Sequence, residues 1–219
     1  MQNAQDEEFL NLHEFVKAAR LKLNQFIWDY LVGGAETETT LLRNRLALDS
    51  LAFRPRVLVD VAHIDKSHQF MGRNIRLPVA LAPVGSLESF DAGGGATAAR
   101  AAGEFNVPIF VSSVTQPSLE QVAAAGTGPK IFQLYVRGDD TFIDDYAKRA
   151  IDSGYDAFCL TVDTAHYSRR ERDIAKRFRK PWRRDVTGTA FQAGLNWGHV
   201  ERFKANHKIP LIIKGIATA

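Results

Sequence analysis

Between residues 78 and 214, five short apolar runs alternate with stretches of helical spacing, and few architectures accept that rhythm. The runs lie at 78–82 (PVALA), 108–112 (PIFVS), 130–136 (KIFQLYV), 156–162 (DAFCLTV) and 209–214 (IPLIIK). They are too continuously apolar for strands with one wet face, so they read as strands covered on both sides of a parallel sheet. Patterns with apolar residues three and four apart fill the gaps at about 95–105, 118–125, 139–153 and 198–206. A parallel neighbour cannot be reached by a tight turn, and a strand–helix–strand order is the usual solution.

Each run also ends in small or polar residues: Pro83-Val84-Gly85-Ser86, Ser112-Ser113, Gln133 and Tyr135, Thr161 and Asp163, and Lys214. In a (β/α)8 barrel the catalytic face lies at the carboxyl ends of the strands, where side chains from several strands converge. The expected fold class is therefore α/β, a (β/α)8 TIM barrel with about five of its eight strands present. A doubly wound sheet is the alternative, but no run is followed by a G-x-G-x-x-G turn. Gly93-Gly94-Gly95 lacks that spacing and reads as a plain helix entry. The last run and the loop after it, Pro210 to Ala219, have no cap or polar tail. The chain is accordingly expected to be a fragment or a truncated product, carrying half an active site.

Upstream, 9–32 and 36–49 read as helices separated by Gly33-Gly34. Leu10, Leu12, Phe15, Val16 and Ala19, then Leu23, Phe26, Ile27 and Leu31, recur at helical spacing. Phe53-Arg54-Pro55 opens an extended segment, because the residue before a proline disfavours helix. The residues around Gly72-Arg73 read as a small hairpin. The expected division is 1–77, helices and hairpin, and 78–219, the incomplete barrel, with a long mobile loop at about 179–197 over the site.

The single cysteine, Cys159, excludes an internal disulfide, reads as core, and fits a reducing compartment. No apolar run nears the roughly 20 residues of a membrane span. The polar, acidic start is unlike a signal peptide, so the expected location is cytoplasmic. Arg169 to Arg184 holds nine Lys/Arg against Glu171 and Asp173, a net of +7, while the whole chain carries only +3. The basicity is local, which argues against a nucleic-acid face, although Phe178 and Trp182 interleave with the charges as a binding strip would. The six histidines are scattered and form no metal-ligand spacing, so no metal is expected.

Four stretches then stand out together: Asp29-Tyr-Leu-Val-Gly-Gly-Ala-Glu36, Phe132-Gln-Leu-Tyr135, Leu160-Thr-Val-Asp-Thr164 with Ser168-Arg-Arg-Glu171, and Ile213-Lys-Gly215. In this order and at these intervals the chain, from about residue 8 onward, resembles the FMN-dependent 2-hydroxy acid oxidase/dehydrogenase family, which includes glycolate oxidase, L-lactate dehydrogenase and mandelate dehydrogenase. The resemblance implies an FMN-linked TIM barrel preceded by helices. It implies oxidation of a small (S)-2-hydroxy acid, of lactate, glycolate or mandelate type, to the 2-oxo acid.

By the same resemblance, Arg170 grips the substrate carboxylate, a task for which the planar guanidinium fork suits better than a lysine. Tyr30 and Tyr135 face the substrate. Lys214 stands at the flavin ring, and Asp163 supports a catalytic histidine. Ser112, Gln133 and Thr161 hydrogen-bond the ring, and Pro83, Val84 and Gly85 contact it through backbone. Val84 replaces the commoner threonine and Val114 a bulkier aromatic, which leaves the substrate open. The family's later His-Gly-Gly-Arg segment and phosphate loops do not occur, so the chain by itself is expected to be inactive. A non-enzymatic remnant, or a weak flavin- or anion-binding protein, is the alternative. The resemblance does not choose among oxygen, a quinone and a cytochrome as electron acceptor, and it implies a homo-oligomer for the full-length form.

Overall fold

The computed structural model describes residues 9–178 and 187–218. Contacts gather the chain into two compact units, Met1–Arg54 with Ser168–Arg179, and Pro55–Tyr167 with Lys180–Ala219. The hairpin thus groups with the strands, and the segment after Tyr167 groups with the N-terminal helices.

The first unit contains α1 (Leu12–Lys22), α2 (Gln25–Val32), α3 (Thr39–Asp49) and the short α7 (Glu171–Ala175). The single helix expected over 9–32 is two helices. Asn24 is the reason: its side-chain oxygen accepts from Ile27 N at 3.0 Å and caps a new start, while Leu23 turns extended. The apolar residues at helical spacing are largely exposed: neither α1 nor α3 has a buried residue, and Leu10 and Leu12 are 72% and 80% accessible.

The second unit begins with the hairpin β1 (His68–Phe70) and β2 (Arg73–Ile75). Its centre is a four-stranded parallel sheet, β3 (Ile109–Ser112), β4 (Lys130–Leu134), β5 (Ala157–Thr161) and β6 (Leu211–Lys214), in sequential order. Around it stand α4 (Gly94–Phe105), α5 (Leu119–Ala125), α6 (Asp140–Asp152), α8 (Thr189–Ala193) and α9 (Trp197–Asn206).

The run at 78–82 is not a strand; Leu81 alone forms a parallel bridge to Ile109. Pro78 and Pro83 offer no N–H to a ladder, and Val79 N turns back to Leu77 O at 2.8 Å. The expected loop at 179–197 is also corrected. Residues 179–186 lie outside the described residues, but α8 and the start of α9 fall within its second part.

The sheet is covered on both faces, which is why its strands read as unbroken apolar runs. On one face Phe132, Leu134, Phe158 and Leu160 pack with Val122, Ile143, Ala147 and Phe203. On the other, Ile131, Ala157 and Cys159 form a smaller cluster with Phe70, Phe110 and Ile212. Burial pushes the Cys159 thiol up to about 11, so it stays a protonated core side chain.

One ion pair makes a pH prediction. Arg149 on α6 donates Nε and Nη2 to the two carboxylate oxygens of Glu120 on α5, at 2.7 and 3.3 Å. That hydrogen bonding lowers the Glu120 carboxyl to about 2. A depressed carboxyl contributes stability above its unfolded value near 4.5 and loses it as pH falls toward 2. Both side chains are more than a third accessible, so screening limits the contribution to about 0.2–1 kcal/mol. Glu120→Gln should lower the urea midpoint slightly at pH 7 and by clearly less at pH 2.5. An equal shift at both would show that the pair is not its source.

Candidate active site at the strand ends

Strand periodicity sorts the candidate residues before any contact is considered. Phe110 and Ser112 share a face of β3; Ile131 and Gln133 share the corresponding face of β4, Ala157, Cys159 and Thr161 that of β5, and Ile212 and Lys214 that of β6. The register aligns them: Ser112 pairs with Gln133, Gln133 with Cys159, Cys159 with Ile212, and Thr161 with Lys214. An apolar floor of Ile131, Ala157 and Cys159 therefore gives way, toward the carboxyl ends, to a polar layer.

In that layer Gln133 Nε2 donates to Thr161 Oγ1 at 2.6 Å, with both side chains fully buried. Ser112 Oγ accepts from Val114 N at 3.3 Å, and Ser113 Oγ accepts from Tyr135 N at 3.1 Å. Lys214 Nζ donates to Asp163 Oδ2 at 3.1 Å. The lysine side chain is 37% accessible, β6 pairing on one side only among the described residues. Asp163 thus has a cationic partner in place of the histidine the resemblance implied. Gly215 lets the two strand ends approach: its φ is +116°, and a Cβ there would meet Asp163 Cβ at 2.5 Å.

Pro83, Val84 and Gly85 follow the Leu81 bridge at the same end, where Ser86 N donates to Val114 O at 2.9 Å. This ties the loop to the one after β3.

Tyr30 and Arg170 belong to the first unit. There Arg170 lies over the Tyr30 ring, 5.2 Å from its centroid, and its Nη2 donates to Tyr30 O at 2.9 Å and to Gly33 O. The arginine is therefore partly a cap for the carbonyl end of α2, a role the sequence did not show. The neighbouring basic charges are similarly engaged. Arg172 pairs with Glu38 at 2.6 Å, and Lys176 with Asp29. Local ion pairing, not a free basic strip, accounts for this part of the segment.

Gln192 escaped the sequence reading, since it lay in what read as a loop. It is 2% accessible, accepts from Val136 N at 2.7 Å and donates to Thr161 O at 2.7 Å. It joins the ends of β4 and β5. Two histidines have structural work: His199 Nδ1 accepts from Asn196 N at the start of α9, and His207 Nε2 lies 2.7 Å from Asp144 Oδ1.

The layer suits a planar heteroaromatic group: amide, hydroxyl and ammonium groups for its edges, over an apolar floor. Comparison with known proteins agrees. The model of the FMN-dependent dehydrogenase family matches residues 19–219, and the chain belongs to that family. Glycolate oxidase 3 of Arabidopsis thaliana is 34% identical over 97% of this chain and 64% of its own length. Glycolate oxidase of Spinacia oleracea is 33% identical over 97% and 63%. A crystal structure of mandelate oxidase with 3,3-difluoro-2-hydroxy-3-phenylpropionic acid superposes with a TM-score of 0.87 at 36% identity, over 96% of this chain and 62% of that one. Another, of a variant with the C4a-OH-FMN adduct, gives a TM-score of 0.84. The chain thus spans a little under two thirds of the length of these relatives. The parallel strands and their helices are part of a (β/α)8 barrel, and FMN is the cofactor of the family.

Proposed function

We propose that this chain serves FMN-dependent oxidation of a small (S)-2-hydroxy acid to the 2-oxo acid. The observation that carries the proposal is the Lys214–Asp163 pair at the strand ends, beside the buried Gln133–Thr161 hydrogen bond. When bound, FMN supplies the electron sink for the substrate carbon–hydrogen bond. Gln133, Thr161 and Ser112 hold the ring edges, with Pro83, Val84 and Gly85 contributing backbone. Lys214 supplies positive charge, positioned by Asp163, where negative charge gathers. Tyr135 and Tyr30 offer hydroxyls to the substrate. Arg170 offers the Nη1 side of its fork to the carboxylate, Nη2 being committed to α2.

The names of the relatives, glycolate oxidase and mandelate oxidase, support 2-hydroxy acids with hydrogen or aryl substituents, and lactate falls between them in size. A cytoplasmic setting is supported by the single, buried Cys159. We propose further that these 219 residues do not turn over alone. None of the six histidines lies on β3–β6, and a positioned general base contributes roughly 10²–10⁴-fold.

The test has two readouts. FMN binding, followed by flavin fluorescence, should be weakened about tenfold or more by Lys214→Met, on the scale of a charge-assisted contact. Turnover of lactate, glycolate or mandelate with a dye acceptor should be undetectable. FMN affinity indifferent to Lys214 would remove that residue from the site, and turnover at about 1 s⁻¹ or above would overturn the proposed inactivity.

A further inference from the structure

Among the described residues, Arg137 has a buried donor with no acceptor. It follows Tyr135 by two residues and continues past β4 the alternation that places Gln133 and Tyr135. Its guanidinium lies near two aromatic rings, 5.8 Å from the Tyr135 centroid and 5.3 Å from that of Tyr167. Nη1 donates to Val136 O at 3.3 Å, but Nη2 is buried and has no hydrogen-bond partner among the described residues. No carboxylate among the described residues forms an ion pair with it.

Ring faces stabilise the charge and leave the fork's N–H groups unsatisfied. Arg137 as a whole is half-buried, but a donor atom held out of water is ordinarily matched by an acceptor. Nor is this a loose surface side chain. Gly188, at φ +71°, packs so closely on the Arg137 carbonyl that a Cβ would collide with it, and Gln192 holds the preceding N–H.

We propose that Arg137 binds a carboxylate at the far end of the substrate, so that the site favours 2-hydroxy dicarboxylic acids over monocarboxylic ones. A planar carboxylate accepts two parallel bonds from the fork, and the Tyr135 ring beside it is that of the residue assigned to face substrate. The assignment rests on the oxidase reading for its place in catalysis, while the anion site itself stands on the geometry alone.

Equilibrium dialysis of the 219-residue chain separates the two. (S)-Malate and (S)-2-hydroxybutyrate have the same carbon count and differ by a terminal carboxylate against a methyl. Malate is expected to bind about tenfold tighter or more, and Arg137→Gln to level the two to within about twofold, with FMN binding unchanged. Arg137→Lys should retain part of the preference, having the charge without the fork. The wild-type comparison decides even if Arg137→Gln fails to fold. Equal binding of the two acids, or displacement of neither by malonate while inorganic phosphate binds, overturns the proposal. FMN binding without malate preference would overturn the Arg137 site only. Malate preference without FMN binding would support Arg137 and overturn the flavin reading.

Discussion

Phe158→Ala is expected to lower the unfolding free energy by about 3–5 kcal/mol, the range for truncating a fully buried aromatic side chain. Phe158 is 0% accessible and lies at the centre of an aromatic stack, 5.8 Å from the Phe132 centroid and 4.9 Å from that of Phe203. These rings tie β4, β5 and α9 together, so the hole left by alanine borders three elements that cannot all move in. For a domain of this size the melting temperature should fall by roughly 6–20 °C. Thermal melts by circular dichroism, with Phe158→Leu as the milder control, measure it. A fall of only a degree or two in Phe158→Ala would mean that the packing is loose in solution.

The rhythm of strands and helices was legible because burial on both faces leaves β4 and β5, whose residues are all buried, mostly apolar. Period two then carried Ser112, Gln133, Thr161 and Lys214 to one face, and the register sets Ser112 level with Gln133 and Thr161 level with Lys214, two residues further toward the carboxyl ends. Where local chemistry competes with pattern, the sequence misled. Asn24 divides a helix whose apolar spacing is continuous, and two prolines reduce 78–82 to a single bridge. Gln192 and Arg137 were illegible for a different reason. A glutamine in a polar stretch becomes meaningful only when α8 folds back onto the ends of β4 and β5, a contact separated by 56 residues. Arg170 showed its charge in the sequence, but not its carbonyl partners, which lie about 140 residues away.

Purified as the 219-residue chain, the protein is expected to associate, with a solution mass well above 24.4 kDa. Among the described residues β6 pairs with β5 alone, and all four of its residues remain partly accessible. One face of β5 and β6 meets an apolar hollow of about 250 Å³ lined by Leu160, Val162, Trp197, Val200 and Ile213, with Trp197 64% accessible. In the first unit Leu12, Leu21, Leu46 and Phe53 add further exposed apolar surface. Unpaired strand edges recruit other strands, and contiguous apolar patches beyond a few hundred Å² mark association surfaces. Size-exclusion chromatography with light scattering measures the mass. Ile213→Lys places a charge beside the open edge and should raise the monomer fraction, since an edge charge must be desolvated before a second strand can pair. A sharp 24.4 kDa species that melts in one cooperative step would show that these surfaces find cover within a single chain, and the association would then be excluded.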